Sequence, residues 1–280
     1  VAIVGRYLGV EALSGVGCTG SLNFLVLGCC IGISSGFVIP VAQEFGRGDY
    51  HQLRKFVGNM VWLAAAFAVG ITTAVCILCR QILVWTRTPA DIFQQAYSYI
   101  FVIFLGIPVT FFYNLLAGII RSLGDSKTPV IFLVISSLLN IALDLFMILV
   151  LHMGVAGAAW ATVISQLVSA VLCLIYMIRR FEILHLSREE WKPEGYCLRQ
   201  LCRMGLPMGL QYSITAIGSI LLQTSVNTLG TTFVAAVTAG GKVNQLFFCP
   251  FDAMGAAMAT YGGQNVGAGK LDRLTRGLRD

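Results

Sequence analysis

The sequence predicts an all-α polytopic membrane protein built from two related lobes. Three observations predict it. Of the 280 residues, 57% are hydrophobic and 11% charged, against about a quarter charged in soluble domains. The apolar residues gather in seven runs of about twenty, the length that crosses a bilayer core. One stretch also occurs twice: shifted by 221 positions, Gly9–Lys55 falls on Gly230–Arg276 without a gap.

The first span, 15–40, carries Gly28, Gly32 and Gly36 four residues apart. Such a stripe lets helix backbones approach closely, so helix packing is its expected role. The second span runs 54–79. In the third, 94–120, Pro108 lacks a backbone N–H and should kink the helix. A polar turn with Gly124-Asp125 at its bend leads to Pro129, in the first turn of the fourth span, 129–151. The connection near Met153 is so short that the fourth span and the fifth, 155–178, must be antiparallel neighbours. Residues 182–204 are the one long polar stretch, with both charge signs and room for a surface helix. The sixth and seventh spans are 205–228 and 232–263, and Pro250 is placed to bend the last. The expected division is a first lobe at 1–181, a cytoplasmic linker at 182–204 and the start of a second lobe at 205–280.

The repeat pairs polar residues as well as apolar ones. Asn23 meets Asn244, Gln43 meets Gln264, and Gly46 and Gly48 meet Gly267 and Gly269. Gly28, Gly32 and Gly36 lie over Cys249, Ala253 and Ala257. A repeat this long means two halves of similar fold. In membrane chains it marks transporters, which bind between the halves and rock one against the other. The same shift makes Val1–Tyr7 the last turn of a helix preceding the first span, and carries spans two to five beyond position 270. An intact protein of six helices per lobe, twelve in all and about 440 residues long, is expected. This chain would hold seven of them.

Fifteen of the nineteen Lys and Arg fall on one side, in the 47–55, 121–127 and 179–203 segments and after residue 269. That side is expected to be cytoplasmic. The net charge of +6 is then topology, and no nucleic-acid partner is expected. The nine cysteines are an odd number, and Cys76-x-x-Cys79 has no βαβ context that would make it a redox pair. His51, His152 and His185 form no metal motif. No enzyme activity and no cofactor are expected.

Two carboxylates lie inside expected spans, Asp144 and Asp252. A charge in the hydrocarbon costs at least ~2.5 kcal/mol and points to function. Ser136, Asn140 and Asp144 recur every four residues, a polar stripe on the fourth span. Thr162, Ser165, Gln166 and Ser169 make a similar stripe on the fifth. Counted from Met153, Asp144 and Thr162 are nine residues down their two arms, and Asn140 and Gln166 thirteen. The stripes therefore meet at matched depths. A carboxylate, an amide and a hydroxyl converging there suit a hard monovalent cation such as Na⁺ or a proton, or else a network that only joins two helices. On the seventh span, Lys242, Gln245 and Asp252 share a broad face and are candidates, with Gln166, to line a cavity between the halves. Phe101, Phe104, Phe111, Phe112 and Tyr113 on the third span offer an apolar binding wall or a lipid-facing surface.

These residues resemble the multidrug and toxic compound extrusion (MATE) family, in its DinF-like branch. The resembling motifs are Val4–Gly9, Arg121–Asp125 with Lys127–Pro129, Leu139–Asp144, Gly154–Ala159, Gly205–Pro207 and Gln264–Lys270. The resemblance implies a two-lobe, twelve-helix transporter of which this is a partial chain. It also implies export of small organic cations or amphipathic drugs, antiported against H⁺ or Na⁺. The cation site of that branch uses an Asp on the first helix, an Asn and an Asp four apart on the fifth, and a Thr on the sixth. The last three land on Asn140, Asp144 and Thr162, and the Asp would lie before Val1. A Glu that another branch carries after Gly-Leu-Pro on its seventh helix has no counterpart in Met208–Thr215, which favours the first-lobe site. The expected setting is the cell membrane, as a monomer in the lipid bilayer. A lipid-linked-sugar flippase of the same superfamily is the alternative; its anionic head group would need a more basic cavity than Lys242 alone gives. A seven-helix receptor or sensor also fits the span count, but needs no repeat.

Overall fold

A computed structural model describes residues 2–86, 88–227 and 231–277, with side chains on all of these except 2, 10, 223–224, 226–227, 231–239, 241–243 and 245–246. The first span is two helices, α2 (Gly9–Cys18) and α3 (Gly20–Arg47), preceded by the short α1 (Ala2–Tyr7). They part at Thr19, whose hydroxyl donates to the Val16 carbonyl at 2.8 Å. Gly48, at φ 79°, ends α3 in the left-handed conformation, and Asp49 caps α4 (Tyr50–Trp85) by accepting the Gln52 N–H.

The third span breaks where a proline should break it. α5 (Ala90–Leu105) and α6 (Ile107–Ser122) meet at Gly106 with a bend of 45°. Pro108 cannot donate to the Phe104 carbonyl, so the α-helical ladder is interrupted there. α7 (Lys127–Leu145) starts at Asp125, which accepts the N–H groups of Lys127 and Thr128 and the Tyr176 hydroxyl. It runs into a π-helical turn, Phe146–Val150. His152 and Gly154, both at positive φ, then turn the chain into α8 (Gly154–Arg180). α9 (Gly195–Asn227), α10 (Thr231–Gly267) and α11 (Asp272–Gly277) complete the chain, and α10 continues through Pro250. Among the described residues five helices are long and apolar enough to cross a membrane, or six if the bent α5–α6 pair is one span. The seventh expected span coincides with α10.

Phe104 and Phe111, offered above as a binding wall or a lipid surface, are neither. Both are about 1% exposed, and Phe111 packs edge-on against Phe37 in the core of the first lobe. The kink at Gly106 turns both rings inward.

Gly28, Gly32 and Gly36 lie along α9. A Cβ on Gly36 would stand 2.5 Å from Gly205 Cα, and one on Gly32 2.6 Å from the Met208 carbonyl. Gly205 and Gly209 answer from α9 by receiving Phe37 and Ile33. Both helices therefore expose backbone to each other, the close approach that small residues allow.

At their far ends α3 and α10 cross, and the crossing is reciprocal under the shift of 221. Gly46 lies against the backbone of Gln264, Gly267 lies against the backbone of Gln43, and Gly263 meets Ala42. In each case the repeat mates exchange roles. That is the signature of a two-fold axis passing between the two helices, as the repeat requires.

The linker is more structured than its polarity suggests. It holds a 3-10 turn, Glu182–Leu184, and α9 already begins at Gly195, so residues 195–203 are helix. Between these, residues 187–194 are laced to the start of α4. Glu190 is 2% exposed; it takes the Arg54 guanidinium at 2.6 Å, His51 Nδ1 at 3.1 Å and the Ser187 N–H at 2.7 Å. Asn59 accepts the Glu194 N–H and donates to the Lys192 carbonyl, and Trp62 Nε1 donates to the Trp191 carbonyl at 3.0 Å. Burial pushes the Glu190 carboxyl up, but the Ser187 N–H and Arg54 outweigh it and hold its pKa below the ordinary value. Its stabilisation is thus complete at neutral pH and is lost as pH falls through the lowered value. Glu190→Ala leaves Arg54 without its counter-charge and should cost about 3 kcal/mol. Thermal unfolding in detergent should show a lower melting temperature at pH 7, and the difference should shrink in acid. Equal melting at pH 7 would contradict the anchoring role.

Candidate functional site

The two polar stripes face each other. Ser136 Oγ donates to the Ser165 carbonyl at 2.6 Å, and Asn140 Nδ2 donates to Thr162 Oγ1 at 3.4 Å. Thr162 in turn donates to the Ala158 carbonyl at 3.0 Å. The two helices are antiparallel neighbours as expected, but the register is about one turn off the count from Met153. Thr162, nine residues along α8, meets Asn140, thirteen residues back along α7, and not Asp144. The α7 arm spends its extra residues on the π turn and the 151–153 connection.

Asp144 lies one turn outward of Asn140 and is 8% exposed. Its Oδ1 is buried with no hydrogen-bond partner among the described residues. The π turn begins two residues later. Such turns interrupt the regular ladder and concentrate at functional sites. α5 brings Tyr99 close enough to interact electrostatically with the Asp144 carboxylate. Tyr99 is hard to recognise in the sequence because a tyrosine among aromatics looks like core. The signal was depth: Tyr99 lies ten residues from Pro89, close to the nine that separate Asp144 from Met153.

Gln166 does not line an inter-lobe cavity as expected. It accepts the Thr110 hydroxyl at 2.5 Å inside the first lobe, because α8 packs on α5, α6 and α7. The side chains of Lys242 and Gln245 lie outside the described residues. Asp252 does line a cavity. It belongs to a space of about 520 Å3 between α3, α6, α9 and α10, walled by Phe24, Tyr212, Phe248 and Phe251. Ala42 and Thr260 form its floor, next to the α3–α10 crossing. Arg121, counted above only as a loop charge, lines it too.

Helices of membrane-spanning length, a reciprocal crossing and a cavity between the two sets of helices define a polytopic, all-helical membrane protein of two related lobes. The sequence pattern of the MatE family matches residues 1–146 and 207–279, and the chain belongs to that family of multi-pass membrane proteins. It is 30% identical over 285 residues to the "Probable multidrug resistance protein YoeA" of Bacillus subtilis (strain 168), covering 99% of this chain and 61% of the relative. It spans about 60% of the length of such curated relatives. Among solved structures 25% identical to it are two conformations of such a family member. "Outward-facing conformation of a multidrug resistance MATE family transporter of the MOP superfamily" superposes with a TM-score of 0.88, over 99% of this chain and 62% of that one. The inward-facing conformation of such a transporter gives 0.79, over 96% and 63%.

Proposed function

We propose that the intact protein is a secondary active exporter of cationic or amphipathic organic compounds, driven by inward movement of H⁺ or Na⁺ through a site at Asp144, Asn140 and Thr162. The observation that carries this reading is the unpaired Oδ1 of Asp144, buried at the end of a hydrogen-bonded polar seam. A carboxylate there favours a cation or proton, because nothing in the described seam neutralises it. Occupation removes the charge and lets the surrounding helices pack differently, and that differential affinity couples ion to conformation. The cavity is closed at the α3–α10 crossing, on the side expected to be cytoplasmic, so the arrangement is the outward-facing one. The higher TM-score to the outward-facing structure supports this. The cell membrane is the setting.

The test is efflux of ethidium, an aromatic cation, from proteoliposomes of the intact protein. An imposed H⁺ or Na⁺ gradient should accelerate it at least tenfold over liposomes without protein. Equal rates with and without protein under both gradients would refute the exporter reading.

A further inference from the structure

The inter-lobe cavity carries both signs of charge. Asp252 belongs to the stripe Asp252, Ala256, Thr260, Gly263 and Gly267, spaced about one turn apart on α10. The inner end of that stripe, Gly263 and Gly267, meets α3, so its outer end faces the same way, across the cavity. Arg121 is on α6, three residues after Gly118, which receives Val38 of α3. Both charged side chains are exposed residues that line this one space. Neither makes a hydrogen bond or ion pair with a described residue.

They are too far apart to pair. Gln264 Nε2 donates to the Ser122 carbonyl at 2.8 Å, which sets the end of α6 level with Gln264. Asp252 is twelve residues higher on α10, about 18 Å along the axis. An arginine side chain reaches part of that distance and an aspartate little of it. Between the two charges the space is lined by small and aliphatic residues such as Val38, Ile39 and Ala256, and the rings of Phe24, Tyr212, Phe248 and Phe251 gather at the Asp252 end.

Resting on the exporter reading, we infer that this cavity selects elongated aromatic zwitterions, with Arg121 taking the anionic end and Asp252 the cationic end. A guanidinium holds a carboxylate through two parallel N–H donors. Each charge is desolvated when a ligand fills the cavity, so a ligand that answers only one of them leaves the other unpaired. Specificity then comes from the penalty on the incomplete partner as much as from the gain on the complete one. The acid of this cavity is separate from the acid of the coupling site: Asp252 discriminates cargo, Asp144 couples ions.

The test uses a matched pair of dyes. Tetramethylrhodamine with a free carboxylate is a zwitterion, and its ethyl ester is a cation of nearly the same shape. Fluorescence anisotropy measures binding of each to the purified intact protein, and proteoliposome efflux measures transport separately. Wild type should bind the zwitterion about tenfold more tightly than the ester. Arg121→Gln should weaken the zwitterion about tenfold and leave the ester unchanged, whereas Arg121→Lys should keep part of the preference. Asp252→Asn should weaken both dyes. Monodispersity on gel filtration confirms that each variant is folded. Equal loss of both dyes in Arg121→Gln, no loss of either, no binding of either dye by wild type, or binding of the dianion fluorescein as tight as the zwitterion's would overturn the inference. Binding with the expected contrast but no gradient-driven efflux would refute the exporter reading and leave the assignment of Arg121 standing.

Discussion

Asp144→Asn is expected to abolish gradient-driven efflux while the protein still reaches the membrane and binds its cargo. The substitution keeps the shape of the side chain and removes its charge. It should cost little stability, because Asp144 Oδ1 has no hydrogen bond to lose among the described residues and a neutral amide is cheaper to bury than a carboxylate. What disappears is the difference between an occupied and an empty site. A permanently neutral side chain has nearly the same energy with or without the ion, so the ion no longer biases the two conformations. Asp252→Asn is the control. It changes a cavity wall, so it should alter cargo affinity and leave coupling intact. Coupled efflux at the wild-type rate in Asp144→Asn would move the coupling site away from α7 and α8. So would complete loss of coupling in Asp252→Asn.

The second large effect belongs to the crossing. Gly46 and Gly267 each face a backbone carbonyl of the opposite helix. A backbone carbonyl cannot rotate away as a side chain can, so a valine at either position must push α3 and α10 apart. Overpacking at such a contact costs about 3 kcal/mol, which moves a two-state equilibrium about a hundredfold. Gly267→Val should therefore favour the conformation that is open to the cytoplasm. With a single cysteine placed by Thr260→Cys in a background free of other cysteines, labelling by an impermeant thiol reagent in inside-out vesicles should speed up strongly. The repeat makes a sharper demand: Gly46→Val should produce the same change, because the two contacts are images of each other. A large effect from one and none from the other would break the symmetry argument.

Much of this was readable before any coordinates. The break at Pro108 follows from a missing N–H, and the antiparallel pairing of α7 and α8 follows from their short connection. Their register does not, because the π turn at Phe146–Val150 offsets the two arms by about one turn. The reciprocal contacts of Gly46 and Gly267 were present as a self-match of the sequence. What escaped was set by contacts between segments distant in the chain. Residues 195–203 look like loop because they are polar, yet they lie on α4 and extend α9. Glu190 reads as one surface charge among many until Arg54 and His51 are brought to it from over 130 positions away. The rings of Phe104 and Phe111 have no inward or outward sense until the 45° bend at Gly106 supplies one. The same holds for Arg121. Charge counting assigns it to a loop, and only the packing of α6 on α3 turns it into a cavity wall.

The central claim is that ion occupancy at Asp144 moves the lobes about the α3–α10 crossing. It is tested most directly by measuring a distance across that crossing. Arg47 and Ala268 are repeat mates at the ends of the two helices, and both are exposed or partly exposed. Spin labels on cysteines introduced at these two positions of the intact protein, in lipid nanodiscs, would report the separation by pulsed electron resonance. Addition of Na⁺ or a step in pH should shift the distance distribution of the otherwise wild-type protein. With Asp144→Asn added, one distribution should persist whatever the ion. An Asp144→Asn protein that responds like wild type, or a wild-type protein that responds to neither ion, would contradict the account.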